Sequence, residues 1–147
     1  MKAVYLYILL RYTLQGHKLV IFTDTVLSCY KIQLFIRTMI ELPAKNIQIL
    51  HTKLPRSSRN NILEVFNKSF SNVLIAAFSA KNDEFIRGSD FVDVGAVLLF
   101  NLPESNETYT HAIGRSSRAA QNGISIALVP FFEDKRFSKI RASQKSA

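Results

Sequence analysis

The sequence predicts an open α/β domain in which a mainly parallel sheet of five or six strands carries helices on both faces. Short, almost wholly apolar segments recur five times along the 147 residues, and segments with helical signals alternate with them except between the third and the fourth, where a long polar loop is predicted. Strands covered by helices on both faces need such continuous apolar runs, and parallel strands need a crossover between them. The composition, 48% hydrophobic and 20% charged residues, suits one globular domain with a sizeable core.

The predicted strands are apolar runs bounded by polar residues or by proline. In chain order they cover residues 19–22, 47–50, 73–76, 96–100 and 124–129. In an open sheet of this kind, ligands bind outside the carboxyl ends of the strands. The functional loops are therefore expected at that edge, including a long polar loop over 78–89.

The predicted helices are recognised mainly by their ends. Gly16 and Pro43 stop the first two helices, whereas Asp24 or Thr25 can cap the second and Ser105 can cap the fourth. A basic helix closes the domain at 141, and a basic flexible tail is expected over the remaining residues. The helices cover 2–15, about 24–41, 57–68, 105–111 and a closing segment, and the tail covers 142–147.

The formal net charge is +8, and most of the excess lies in the first half of the chain. Residues 1–75 carry ten basic and three acidic side chains, against nine and eight in the rest. Such a surface suits a polyanion, nucleic acid first and an anionic membrane second, although a merely basic soluble protein has the same totals. No apolar stretch approaches the ~20 residues of a membrane span. We therefore expect a cytosolic or nuclear protein with no membrane partner.

Several kinds of chemistry have no residues to carry them. Neither G-x-x-x-x-G-K-S/T nor G-x-G-x-x-G occurs, so the chain has no phosphate cradle of its own. His17, His51 and His111 lie far apart without metal-ligand spacing. The single cysteine, Cys29, excludes an internal disulfide and lies in a predicted helix, which favours a core thiol over a nucleophile. We expect no metal site.

Two arginines and one aspartate are the strongest candidates for phosphate and ribose chemistry. Arg115 and Arg118, three residues apart in a helical turn, point the same way and can converge on one phosphate. A solvated basic turn has the same spacing. Asp90 follows a turn at Gly88 and can accept hydrogen bonds from ribose hydroxyls, or simply cap that turn. Spacing alone leaves these alternatives open.

Three segments carry a specific pattern in a fixed order: LVIFTDT at 19–25, RGSDF at 87–91 and YTHAIGRSSR at 109–118. They resemble motifs IV, V and VI of the DEAD-box RNA helicases, and the resemblance to the C-terminal lobe of that family covers about residues 2–141. Finer features at 30–35, 54–59 and 118–123 are similar to the nucleolar members that act in assembly of the large ribosomal subunit.

The resemblance implies that residues 1–141 form the second RecA-like lobe of a two-lobe enzyme. The first lobe, in cis or in trans, would supply the P-loop and bind ATP with Mg²⁺, so this chain alone should bind neither stably and be inactive. By resemblance, Arg115 and Arg118 are catalytic and reach the γ-phosphate, Asp90 contacts the ribose, and His111 lies between the lobes. The residues matching RNA-backbone contacts are Thr25, Arg59, Arg87 and Gly88.

Departures from the family pattern leave a second hypothesis open. Ala77 and Phe78 stand where motif V usually has a Thr-Asp pair, and Ala112 replaces a usual arginine of motif VI. The chain is thus either part of an active, diverged helicase or a non-catalytic RNA- or protein-binding module. The resemblance implies RNA and pre-ribosomal proteins as partners, and a nuclear, nucleolar location with the cytosol as the alternative. A flavodoxin-like domain would explain the alternation but not the two arginines.

Overall fold

Five parallel strands form one sheet in the computed structural model, which describes residues 1–68, 73–78, 91–114 and 123–145. Their order is β2-β3-β1-β4-β5, and all four pairings are parallel. This confirms the predicted class of fold. The strands are β1 Leu19–Thr23, β2 Ile47–Leu50, β3 Val73–Ala77, β4 Ala96–Leu99 and β5 Ile124–Ala127.

β1 is the central strand, and every one of its residues is buried. Leu19 lies opposite Val73 of β3 on one side and opposite Ala96 of β4 on the other. β3 and β4 are buried along their whole length as well. Continuous apolar runs therefore occur where neighbouring strands and helices exclude water from both faces.

The described residues contain five α-helices, and two of these have the N-caps that the sequence signals indicate. The Thr25 hydroxyl accepts from the Ser28 backbone N–H at 3.1 Å, and Ser105 does the same for Thr108. None of the described helices is both long and apolar enough to cross a bilayer. The helices are α1 Lys2–Ile8 with a π-helical turn over Leu9–Thr13, α2 Val26–Phe35 with a π-helical turn over Ile36–Ile40, α3 Arg56–Asn67, α4 Asn106–Ile113 and α5 Asp134–Lys145.

The helices divide between the two faces of the sheet, each face with its own apolar core. Leu6 of α1 and Ile32 of α2 pack with the side chains of one face, such as Ile21. Phe66 of α3 packs on the opposite face with Phe22, and so do α4 and α5. The core thus has two layers separated by the sheet, as the predicted architecture requires.

The end of the chain differs from the prediction. α5 continues to Lys145, so most of the segment expected to be a tail over 142–147 is helical. Ser143 Oγ donates to the carbonyl oxygen of Ile140 at 2.7 Å inside this last turn. The extension has a simple cause: the segment contains no glycine or proline, and alanine, glutamine and lysine are good helix formers.

Candidate nucleic-acid and nucleotide interface

Three predicted site residues lie among the described residues, and each follows a different strand. Thr25 is exposed just after β1, whereas Arg59 is half-buried in the first turn of α3, after β2. His111 is half-buried in the last turn of α4, after β4. Parallel strands place their carboxyl ends at one edge of the sheet, so Thr25 and the start of α3 belong to the edge where ligands bind in such folds.

The Thr25 hydroxyl is engaged in a small polar network at the start of α2. It accepts from the Ser28 backbone and donates to Ser28 Oγ at 2.8 Å, and Ser28 Oγ donates to Asp24 Oδ1 at 3.2 Å. This network holds the first turn of α2 at the carboxyl edge. The unpaired N–H groups of a helix N-terminus favour negative charge, which is the environment a phosphate needs.

A buried contact joins the ends of β1 and β4, and sequence reasoning missed it. Thr23 is fully buried, and its Oγ1 donates to Asn101 Oδ1 at 2.7 Å. The backbone N–H of Phe78 also donates to the Thr23 carbonyl at 2.8 Å. Thr23 therefore positions the segments that leave β3 and β4. The sequence did contain a signal for this contact, since Thr23 and Asn101 are polar residues placed at the ends of apolar runs.

His51, the residue after β2, is almost completely buried at the same edge. Only 5% of it is exposed, its Nε2 lies 3.3 Å from the hydroxyl of Tyr30, and its Nδ1 has no hydrogen-bond partner among the described residues. Burial lowers the pKa of His51, and the positive charge of Lys53 lowers the pKa further. Both effects favour the neutral imidazole.

We expect His51 to make the folded protein less stable in acid. Because its folded-state pKa lies below the unfolded value of about 6.5, the unfolded chain binds the proton more readily, and stability declines as the pH falls through that value. Urea titrations should show that the free energy of unfolding falls less between pH 7.5 and pH 5.5 for His51→Gln than for the wild type. Exposed His17, changed to glutamine, is the control. An unchanged acid loss in His51→Gln would contradict this.

The departures from motifs V and VI are packed into the core. Ala77 is buried, and the Phe78 ring stacks on that of Phe22, with centroids 5.4 Å apart and planes 12° from parallel. Ala112 is fully buried in α4. These three positions offer neither a hydroxyl nor a charge, so their side chains stabilise the fold and cannot bind phosphate.

The remaining predicted site residues, Asp90, Arg87, Gly88, Arg115 and Arg118, lie outside the described residues. So does most of the polar loop predicted over 78–89. Within the described ranges, histidine, cysteine and carboxylate side chains form no group of three that could hold a metal ion. Burial raises the pKa of Cys29 to about 12, as for a core thiol.

The sheet order and the helices on both faces define a RecA-like lobe, and similarity to known proteins assigns it further. Residues 1–120 match the family described as the helicase conserved C-terminal domain. The chain belongs to this family, and it is a C-terminal lobe of the DEAD-box RNA helicase type. The expected resemblance is thereby confirmed.

Two curated relatives illustrate the degree of similarity. The ATP-dependent rRNA helicase RRP3 of Gibberella zeae is 30% identical over 128 residues, which cover 87% of this chain and 24% of the relative. The ATP-dependent RNA helicase dbp9 of Aspergillus oryzae is 28% identical over 163 residues, covering 84% of this chain and 26% of the relative. The chain therefore spans about a quarter of the length of these relatives.

Solved structures show the same fold. The Escherichia coli DEAD-box protein SrmB, bound to regulator of ribonuclease activity A, is 27% identical with a TM-score of 0.75, over 95% of this chain and 76% of that one. The C-terminal domain of the DEAD-box protein Dbp5 is 24% identical with a TM-score of 0.81, over 99% of this chain and 79% of that one. The second likeness concerns the fold alone.

Proposed function

We propose that this chain acts as the second lobe of an ATP-dependent RNA helicase. The observation that carries the proposal is the family match over residues 1–120, which includes Asp90, Arg115 and Arg118. The printed names of RRP3 and dbp9 support the choice of RNA, and that of RRP3 names rRNA. The proposal includes ribosomal RNA as the substrate, the nucleolus as the location and pre-ribosomal proteins as partners.

In the nucleotide part of the proposal, the lobe adds charge to a site built elsewhere. An N-terminal lobe, in cis or in trans, would hold ATP with Mg²⁺. ATP would supply the phosphoryl group that is transferred to water. Arg115 and Arg118 stabilise the negative charge of the γ-phosphate in the transition state, because bidentate guanidinium groups match phosphate oxygens. Asp90 accepts hydrogen bonds from the ribose, and His111 contacts the other lobe.

In the RNA part of the proposal, the lobe holds the phosphate backbone of the RNA and does not recognise its base sequence. Arg59 and Arg87 bind phosphates, whereas Thr25 and Gly88 bring the backbone of the chain close to the RNA. The first turn of α2, ordered by the Thr25 cap, adds donors at the same edge. The formal charge of +8 supports a polyanionic partner.

A non-catalytic RNA- or protein-binding module is the second candidate function. The apolar packing of Ala77, Phe78 and Ala112 favours it, because these positions have lost the polar groups that resemblance assigns to RNA and interlobe contacts. The two candidates differ in whether Arg115 affects ATP turnover once an N-terminal lobe is present.

The purified 147-residue chain is expected to hydrolyse no ATP, with or without RNA. Catalysis of phosphoryl transfer requires a phosphate-binding loop with its lysine and Mg²⁺ ligands, and the sequence contains no such loop. A coupled ATPase assay with and without single-stranded RNA tests this, with the Arg115→Ala variant as background. RNA-stimulated activity above that background would show that the chain builds a nucleotide site of its own.

Binding of single-stranded RNA by the chain should be weak and should decrease steeply with salt. Backbone contacts release counterions, so log affinity should fall with log salt at a slope near −0.7 per phosphate contact. We expect a dissociation constant of about 10⁻⁴–10⁻⁶ M near physiological salt, typical of non-specific binding. Fluorescence anisotropy with two unrelated RNA sequences at several salt concentrations measures both quantities.

The same titrations with Arg59→Ala test whether the RNA binds at the start of α3. The variant should lose affinity equally for both sequences, and its salt slope should be shallower by about one phosphate contact. Arg37→Ala is the matched control and should bind like the wild type, because Arg37 lies in the π-helical turn after α2, at the end of that helix away from Thr25. Tight, salt-insensitive binding to one sequence would contradict the backbone mode of recognition.

A further inference from the structure

A chain of side-chain hydrogen bonds connects the end of β4 with the first turn of α2. The Thr23 hydroxyl donates to Asn101 Oδ1 at 2.7 Å, and it also lies within hydrogen-bond distance of Asp24 Oδ1, at 3.4 Å. Asp24 Oδ1 accepts from Ser28 Oγ at 3.2 Å, and Ser28 Oγ accepts from the Thr25 hydroxyl at 2.8 Å. The network therefore joins Asn101, which leads to α4, with the cap residue of α2, where an RNA contact is proposed above.

The Thr23 hydroxyl is the point at which this network can change. A hydroxyl group has a single proton, so it donates to one acceptor at a time. Two acceptors are within its reach, the amide oxygen of Asn101 and the carboxylate of Asp24, and rotation about one bond exchanges them. In the structure the shorter contact is the one to Asn101. The network thus has two discrete arrangements, which is what an element that couples two sites requires.

The competition between the two acceptors depends on Ser28. In the structure Asp24 accepts from Ser28 Oγ, so it has less need of the Thr23 hydroxyl. A phosphate at the first turn of α2 is a charged acceptor, and hydrogen bonds to charged groups are roughly twice as strong as neutral ones. Such a phosphate draws the Ser28 hydroxyl toward itself and leaves the Asp24 carboxylate without this donor. Asp24 then accepts from Thr23, because a carboxylate is a stronger acceptor than an amide oxygen, and Asn101 loses its bond.

The other end of the network is firmly connected to α4. Asn101 is followed by Leu102 and Pro103, which are both buried, and Arg136 of α5 donates to the Pro103 carbonyl. Ser105, two residues further, caps α4 by accepting from a backbone N–H of its first turn. A change at Asn101 is therefore passed to the start of α4, since the short packed connection cannot absorb it as a loose loop would.

We propose that Thr23 is a positioning residue through which RNA bound at the first turn of α2 changes the position of α4. This helix carries His111 and leads to Arg115, so the inference rests on the function proposed above. Thr23 itself touches no ligand, because its side chain is completely buried. Its hydroxyl faces Asn101 in the absence of RNA and Asp24 in its presence.

The hydroxyl can be removed without disturbing the backbone pairing around it. The Thr23 carbonyl accepts from the Phe78 N–H at 2.8 Å, and the neighbouring Phe22 carbonyl accepts from the Phe100 N–H at the same distance. Both bonds belong to the main chain, so a side-chain substitution retains them. Valine has nearly the shape of threonine and suits a buried strand. Thr23→Val therefore tests the hydroxyl alone.

The test is an NMR titration of the full ¹⁵N-labelled chain with an oligouridylate. Backbone amide shifts at 25–28 report RNA at the first turn of α2, and those at 106–113 report the position of α4. The wild type is compared with Thr23→Val and with Asn101→Ala, which breaks the same bond from its other end. Asn101→Ala leaves β1 intact, so it decides the question even if Thr23→Val folds poorly.

Two further variants are the controls. Thr23→Ser keeps a hydroxyl at the branch point and should respond to RNA like the wild type. Thr38→Val makes the same threonine-to-valine change at an exposed site in the π-helical turn after α2, where the hydroxyl donates to the Leu34 carbonyl. It should also respond like the wild type.

In the wild type, RNA should shift the amide signals of both segments. In Thr23→Val and Asn101→Ala, the shifts at 106–113 at saturating RNA should be at least about twofold smaller, the effect of interrupting a coupling network. The dissociation constant measured from the signals at 25–28 should change by less than about twofold, because the atoms proposed to contact RNA are untouched.

The outcomes separate this inference from the function on which it rests. If RNA shifts no signal at 25–28, the proposed RNA contact is wrong and the inference is wrong with it. If RNA shifts 25–28 but not 106–113 in the wild type, only the inference is wrong. Shifts at 106–113 that persist undiminished in both Thr23→Val and Asn101→Ala would show that RNA acts on α4 by another route, and they would overturn the role of Thr23.

Discussion

Replacing Arg115 by alanine in a two-lobe enzyme is expected to reduce the rate of ATP hydrolysis by about 10³–10⁵-fold, the contribution that arginine fingers make by stabilising transition-state charge. A suitable enzyme is a chimera in which this chain replaces the C-terminal lobe of the Gibberella zeae rRNA helicase, with which it shares 30% identity over 128 residues. The measurement is kcat at saturating RNA. RNA affinity should change little, because the proposed partner of the Arg115 guanidinium group is the nucleotide and not the RNA.

Arg59→Ala in the same chimera is the matched control. It should raise the RNA concentration needed for half-maximal turnover and leave kcat at saturating RNA nearly unchanged, the signature of lost ground-state binding. If Arg115→Ala instead weakens RNA binding as much as it lowers turnover, Arg115 is an ordinary RNA contact. A chimera that binds RNA but is inactive even with Arg115 present would favour the non-catalytic module.

Phe22→Ala should lower the free energy of unfolding by about 3–5 kcal/mol, the usual range for deleting a buried phenyl group. Phe22 is completely buried in the central strand, and its ring stacks on that of Phe78. Because domains of this size are stable by only about 5–15 kcal/mol, the change should remove a large part of the total. Urea titration followed by circular dichroism measures it.

Phe132→Ala removes the same group from a position that is 84% exposed, and it should change the stability by less than about 0.5 kcal/mol. Comparing the two variants separates burial from any general effect of losing a phenylalanine. A similar loss of stability in both would contradict the assignment of Phe22 to the core.

The elements were predictable because their signals are local. Continuous apolar runs mark the strands, and Thr25 and Ser105 form the helix caps expected of them. The widening of α1 and α2 into π-helical turns was not predicted, since a few residues of altered spacing leave the apolar pattern unchanged. The helical turn up to Lys145 was missed because polar composition resembles both a tail and an exposed helix.

The candidate site was less predictable, because its contacts depend on strand order. Thr23 and Asn101 are 78 residues apart in sequence, and only the pairing of β1 with β4 brings them together. The burial of His51 likewise follows from its position against Tyr30 of α2. Motif order makes the arginines and Asp90 candidates by resemblance, but no local rule reveals how Phe78 packs.

The central place of β1 also has a consequence for synthesis on the ribosome. β2 with β3, and β4 with β5, are neighbours both in sequence and in the sheet, whereas β1 pairs with β3 and β4. β1 is thus translated before both of its partners. Its four apolar residues can pair with β3 on one side once Ala77 has emerged, but the other side stays unpaired until Leu99 has emerged. A nascent chain in this state exposes two strand edges, which favours aggregation. This lobe should therefore need chaperone protection longest at its first strand.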